Sequence, residues 1–246
     1  MVLAVIPARY ASVRFPGKPL ANLGGRSVIQ RTYERVASCP AVDHIIVATD
    51  DERIYDHVRA FGGAVVMTRA DHVSGTDRVA EAAAGFAGAD IVVNVQGDEP
   101  FIDPRQVAAV VDPFADPAVA ITTLAHPISE EHALLSPNVV KVVRDARGGA
   151  LYFSRHAVPY LRDRPVGQWL AAGRHLQHLG VYAFRARVLR ELTDLPPADL
   201  ELAESLEQLR WLGAGYRIHV GITDLPAIGI DTPADLEQAS QLLGDS

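Results

Sequence analysis

Short apolar runs alternate with segments of helical periodicity through the first half of the chain. VLAVI (2–6) precedes SVIQRTYERVAS, HIIVAT (44–49) precedes DERIYDHVRAFG, and AVVMT (64–68) precedes TDRVAEAAAGFAG. DIVVNV (90–95) then leads to a helical segment from Pro104 to Phe114 and to AVAITTLA (118–125). Strands alternating with helices imply parallel strands joined by crossover helices. The apolar runs are continuous rather than alternating, as strands covered on both faces require. The pattern predicts an α/β fold built on a doubly wound, mostly parallel sheet.

After about residue 125 the rhythm breaks. VVKVVRD (139–145) and ALYFSR (150–155) read as a hairpin around Gly148 and Gly149, followed by a polar stretch to His178. A strand at LGVYAF (179–184) and helices near 186–193 and 201–212 come next. This region, about 126–213, is expected to be a smaller α+β insertion covering the sheet's open edge. The core of one domain would then be 1–125 and 214–246, closing with YRIHVGI (216–222) and a last helix from Pro233. No repeat of fixed period is present.

Composition narrows the function classes. The chain has 246 residues, 48% of them hydrophobic, and a net charge of −7, so its overall field does not favour a nucleic acid partner. Any anion must meet a local basic cluster. The single cysteine, Cys39, excludes an internal disulfide and a cysteine metal cage. No run of about 18 apolar residues and no signal-like leader is present, so a cytoplasmic protein without a membrane partner is expected.

In sheets of this kind ligands sit beyond the carboxyl ends of the strands. The first such turn reads PARYASVRFPGK (7–18), with Arg9, Arg14 and Lys18 spaced by Ser12, Pro16 and Gly17. Three cations so close repel one another unless an anion lies among them, and a nucleotide triphosphate would supply it. A solvated basic loop is the alternative. Neither G-x-x-x-x-G-K-[ST] nor G-x-G-x-x-G occurs, which argues against a P-loop and a dinucleotide site.

Asp98 in QGDEP follows the DIVVNV strand, where a carboxylate either holds Mg²⁺ or caps a turn; Glu99 shares that turn without a defined direction. In IDTPADL, Thr232 fits an N-cap, Pro233 the first helical position and Asp235 the third, which leaves Asp231 free as a second metal ligand. Arg78 falls in the first turn of a helix starting near Ser74 or Thr76, opposed to the helix dipole unless an anion lies there. Pairing with Asp77 or Glu81 is the plainer role. At least one of Asp50 and Asp51 caps the DERIYDHV helix. His178, Tyr182, Glu207 and Gln208, read alone, fit structural positions and a solvated helix face.

The pattern PARxxSxRxPGKPL (Pro7 to Leu20) resembles the opening of sugar nucleotidylyltransferases. The likeness continues through IIVATDD (45–51), MTRADHVSGTDR (67–78), VNVQGDEP (93–100), SPNVVKVV (136–143), ALYFSR, HLGVYAF (178–184), LEQLR (206–210) and GIDTPADL (229–236). Together these resemble the 3-deoxy-manno-octulosonate (Kdo) cytidylyltransferase family over nearly the whole chain. The resemblance implies a nucleotide-diphospho-sugar transferase fold and transfer of CMP from CTP to the anomeric hydroxyl of Kdo, for lipopolysaccharide. It implies a nucleotide site of Pro7, Ala8, Arg9, Arg14, Lys18, Arg69, Ser74, Gly75 and Asp98. Mg²⁺ would lie on Asp98 and Asp231, and Arg9, Lys18, Asp98 and Asp231 would carry the catalysis. Kdo would meet Arg78, Gln96, Arg155, His178, Tyr182, Glu207 and Gln208, in a homodimer formed through the insertion. Gln177 and Ala183 depart from the Arg and Gly of the family pattern. Rival readings are a cytidylyltransferase for sialic acid or 8-amino-Kdo, a metal-dependent glycosyltransferase, and a non-catalytic CTP-binding regulator.

Overall fold

The computed structural model describes residues 1–11 and 14–244; Ser12 of the opening motif lies outside them. Strand β1 (Val2–Ala8) is followed by a short hairpin, β2 (Asn22–Leu23) and β3 (Arg26–Ser27), and by α1 (Val28–Ala37). Then come β4 (His44–Thr49), α2 (Glu52–Ala60), β5 (Val65–Met67), α3 (Gly75–Ala84), β6 (Ile91–Asn94), α4 (Pro104–Val111) and β7 (Ile121–Pro127). The remainder comprises α5 (Glu131–Leu135), β8 (Lys141–Arg144), β9 (Ala150–Ser154), β10 (Leu176–Arg185), α6 (Ala186–Thr193), α7 (Asp199–Glu204), α8 (Gln208–Gly213), β11 (Ile218–Ile222) and α9 (Pro233–Gly244).

The main sheet runs β11-β7-β10-β6-β1-β4-β5, with β8 and β9 attached through β10. Strands β6, β1, β4 and β5 are mutually parallel, as are β7 and β11, whereas β10 is antiparallel to both β6 and β7. Along β1, Leu3 and Val5 enter one apolar core while Ala4 and Ile6 enter another. Successive side chains point to opposite faces, so a five-residue apolar run feeds both layers.

Two features differ from the sequence reading. The region expected to cover an edge instead sends β10 into the middle of the sheet. Leu179, Val181, Ala183 and Phe184 are all buried there, which both-face coverage of a central strand explains. The helix expected over 201–212 is two helices, broken at Ser205 in the left-handed region (φ 51). The Arg155 guanidinium takes the carbonyls of Glu204 (2.6 Å) and Ser205 (3.2 Å), which a continuing helix would have used internally.

Candidate functional site

Strands β6 and β1 end side by side, and the turns that follow them, with the start of α3, line a cavity of about 320 Å³. Its walls include Pro7, Ala8, Arg9, Lys18, Gly75, Gln96 and Asp98. Gly97 allows the turn after β6 to close onto β1, because a Cβ there would stand 2.9 Å from the Pro7 carbonyl oxygen.

The basic loop is folded back on itself. Gly17 adopts φ +74 and donates its N–H to the Tyr10 carbonyl at 2.9 Å, and a 3₁₀ turn (Lys18–Leu20) then carries Lys18 inward. The Lys18 ammonium contacts Asp98 Oδ2 and lies 3.3 Å from Asp231 Oδ1, which Arg14 also reaches at 3.1 Å. The last segment is pinned beside β6 by the Ile230 N–H, which donates to the Asp98 carbonyl at 2.9 Å. Asp235 accepts from the N–H groups of Asp231 (2.9 Å) and Thr232 (2.8 Å), while Thr232 Oγ1 accepts from the Asp235 N–H. Helix α9 is thus capped without the Asp231 carboxylate, as the sequence suggested.

Ser74 caps α3 through a reciprocal pair with Asp77. Arg9 donates to the carbonyls of His72 (2.7 Å) and Ser74 (3.1 Å), which places its guanidinium beside the start of α3 and next to Gly75. Gln96 is oriented by donating to Asn94 Oδ1 at 3.0 Å. Arg69 does not join this cavity. It pairs with Asp71 (3.3 Å) in a hollow of about 780 Å³ between α3, α6 and α7. That larger hollow, though lined by many charged side chains, lacks Lys18 and Asp98, which line the smaller cavity together with Arg9.

Arg78 corrects an expectation. It is 0% exposed, so it does not line the cavity, and its partners are Asp50 (3.2 Å) and Thr68 rather than Asp77 or Glu81. Helical side chains slant toward the N-terminus, which aims residue 78 at the end of β4. Burial pulls this guanidinium below its ordinary pKa, against the attraction of Asp50. Asp51 accepts from the Arg53 N–H and caps α2, so the two neighbouring aspartates divide into a cap and an ion pair.

Arg155 also departs from expectation. Its guanidinium binds the carbonyls of Pro137 (2.9 Å), Glu204 and Ser205, and so staples backbone segments rather than facing the cavity. The other residues expected from the insertion cluster around β10 and α8. His178 Nε2 lies 3.0 Å from Thr123 Oγ1, which is also 2.8 Å from the Val181 carbonyl. With that hydroxyl donating to the carbonyl, the ring is assigned as an Nε2–H donor with Nδ1 as acceptor. Burial pushes the His178 pKa down to about 3, so the ring is neutral. Burial raises Tyr182 well above its ordinary value, and Glu207 adds to this. Glu207 accepts from Thr76 Oγ1 (2.6 Å) and Arg210 (2.8 Å), with its own pKa raised by burial, and Gln208 is buried at the start of α8. Glu99 turns toward β10, its carboxyl pushed up to about 8 by burial and then by Asp98.

Sequence reasoning missed His72 and its pairing with Glu81, which it had considered only as a partner of Arg78. Glu81 accepts from the His72 ring and from the Arg69 N–H (3.2 Å), fixing the loop whose carbonyls receive Arg9. The only trace was a histidine within a quoted motif. Among the described residues no group of three or more His, Cys, Asp or Glu side chains could hold a metal ion. Asp98 and Asp231 nevertheless send oxygens to one cation, Lys18, and a pair of hard oxygen donors suits a divalent ion that takes its other ligands from phosphates and water.

Residues 3–218 match the family model described as cytidylyltransferase. The chain is 54% identical to a 3-deoxy-manno-octulosonate cytidylyltransferase of Bacteroides thetaiotaomicron, over 98% of this chain and 97% of the relative. It is 50% identical to one of Geobacter sulfurreducens, over 98% and 99%. A solved CMP:2-keto-3-deoxy-manno-octonic acid synthetase complexed with CTP superposes with a TM-score of 0.92 at 45% identity, covering 99% of this chain and 98% of that one. A cytidylyltransferase of Leptospira borgpetersenii, 17% identical with a TM-score of 0.64 over 100% and 87% of the two chains, shares the fold.

Proposed function

Since the chain belongs to the cytidylyltransferase family, we propose that it transfers CMP from CTP to the anomeric hydroxyl of Kdo, releasing pyrophosphate, in lipopolysaccharide synthesis. The observation that carries the site assignment is the ion-pair cluster of Lys18, Asp98, Asp231 and Arg14, of which Lys18 and Asp98 line a cavity together with Arg9. In the reaction the hydroxyl oxygen bonds to the α-phosphorus as the bond to the β-phosphate oxygen breaks, and pyrophosphate leaves with that electron pair. Such a displacement depends on positioning and charge neutralisation rather than on a protein nucleophile.

Arg9, Arg14 and Lys18 hold the triphosphate and stabilise the departing pyrophosphate. Gly75 and Ser74 at the start of α3 lie against the nucleotide, beside Pro7 and Ala8. Asp98 and Asp231 would hold a divalent ion, which we take to be Mg²⁺, and that ion would supply charge neutralisation at the α-phosphate and ease deprotonation of the hydroxyl. Gln96, His178, Tyr182, Glu207 and Gln208 take the sugar, with neutral His178 offering Nδ1 to a hydroxyl. Arg78 acts from beneath by fixing Asp50 and Thr68, and Arg155 by holding the Ser205 corner ahead of Glu207.

Residues 126–213 supply the sugar side and a homodimer contact. None of the helices among the described residues is long and apolar enough to cross a membrane, and we place the enzyme in the cytoplasm. The test is pyrophosphate release with each of the four NTPs, combined with Kdo, sialic acid or a hexose 1-phosphate, with and without Mg²⁺. Release only with CTP, Kdo and metal is expected; release with another sugar would overturn the acceptor assignment.

A further inference from the structure

Lys18 stands where a cation held by Asp98 and Asp231 would stand. Its side chain is only 11% exposed, its Nζ contacts Asp98 Oδ2, and Asp231 Oδ1 is 3.3 Å away. The backbone delivers it there: the left-handed Gly17, the Gly17 N–H to Tyr10 carbonyl bond and the 3₁₀ turn all precede or contain Lys18. Two carboxylates brought to one point repel each other unless a cation lies between them. The chain itself provides such a cation, the Lys18 ammonium.

An ammonium and a divalent ion seek the same oxygen lone pairs and, being alike in sign, do not share them. We propose that the Lys18 ammonium is the built-in counterion of the Asp98–Asp231 pair and competes with the metal ion for it, so that Lys18 is released to the phosphates when metal binds. This rests on the reading that these two carboxylates hold the metal. Two consequences follow from linkage. Lys18 weakens metal binding by the nucleotide-free protein. A triphosphate, by drawing the ammonium toward its own oxygens, strengthens metal binding beyond its direct contacts with the ion.

The test is calorimetric titration of Mg²⁺ or Mn²⁺ into nucleotide-free protein. Lys18→Met should bind metal about tenfold more tightly than wild type, and Lys18→Arg, which keeps a cation, should stay near wild type. Equal or weaker binding by Lys18→Met overturns the proposal. The metal reading is tested separately with Asp98→Asn in the presence of CTP. Loss of metal affinity there supports it, and unchanged affinity overturns both readings. Should Lys18→Met not fold, the rate of reductive methylation of Lys18 in wild type, followed by peptide mass spectrometry, serves instead. Metal should raise that rate several-fold, and an unchanged or slower rate overturns the competition.

Discussion

The Glu207 carboxylate accepts the Thr76 hydroxyl at 2.6 Å, locking the start of α8 to the first turn of α3. The same turn is capped by Ser74, whose carbonyl receives Arg9 at 3.1 Å. The proposed sugar and nucleotide sides therefore share a wall one helical turn thick.

Thr76→Val keeps the shape of that wall but removes the donor to Glu207. The loss of one hydrogen bond to a carboxylate, about 1–2 kcal/mol, should raise KM for Kdo about five- to thirtyfold while KM for CTP stays near wild type. Steady-state kinetics with each substrate varied in turn decides it. Equal rises in both KM values would mean that the start of α3 itself had moved.

His178 makes stability fall on acidification. Its native pKa of about 3 lies below the unfolded value of 6.5, because burial disfavours the cation. As pH falls below 6.5 the unfolded chain takes a proton that the native ring refuses, so this contribution is present above 6.5 and is lost toward 3. Urea midpoints measured between about pH 7 and pH 5 should drop less steeply for His178→Gln than for wild type. Parallel slopes would show that the ring takes up its proton while folded.

Glu99 acts with the opposite sign. Its native pKa of about 8 is above the ordinary 4.5, through burial and then Asp98. Between these values the native state holds a proton that the unfolded state has lost, so stability falls as pH rises through that window. In metal-free buffer, Glu99→Gln should lose less stability than wild type between about pH 5 and pH 8.5, read from melting temperatures. An identical decline in both proteins would remove Glu99 as its source.

Much of this was legible in the chain, and the failures share a cause. The continuous run Val2 to Ile6 announced a strand covered on both faces, and Thr232, Pro233 and Asp235 announced a cap that left Asp231 available. Local pattern reached no further than local structure. That β10 would lie between β6 and β7 is a matter of long-range pairing, which periodicity does not encode. The break at Ser205 carries no glycine or proline, and the group that satisfies its freed carbonyl, Arg155, lies 50 residues earlier in the chain. Arg78 was placed on its helix, but neither neighbour offered as its alternative partner, Asp77 or Glu81, is the one it pairs with, since Asp50 comes from another strand end.

Arg155 should therefore behave as a staple. Arg155→Ala leaves the carbonyls of Pro137, Glu204 and Ser205 without their charged donor and should cost about 2–4 kcal/mol in chemical denaturation. Ser205→Gly, which relaxes the left-handed corner, should recover part of that loss. A variant of Arg155 with full stability and a raised KM for Kdo would instead return this residue to the sugar.

Asp98→Asn separates chemistry from fold. The Asp98 backbone carbonyl, not its side chain, receives Ile230 N–H at 2.9 Å, so the 229–231 segment should stay docked when the carboxylate becomes an amide. What is lost is the charge that meets Lys18 and, in the proposed reaction, the metal. The side chain is partly exposed, so the missing ion pair should shift stability by no more than about 1 kcal/mol. Turnover should fall by about a thousandfold or more, because the charge is needed where negative charge builds up in the transition state. Pyrophosphate release and a melting curve on the same preparation decide it. Wild-type turnover from the folded variant would remove Asp98 from the metal site and leave Asp231 as its only carboxylate.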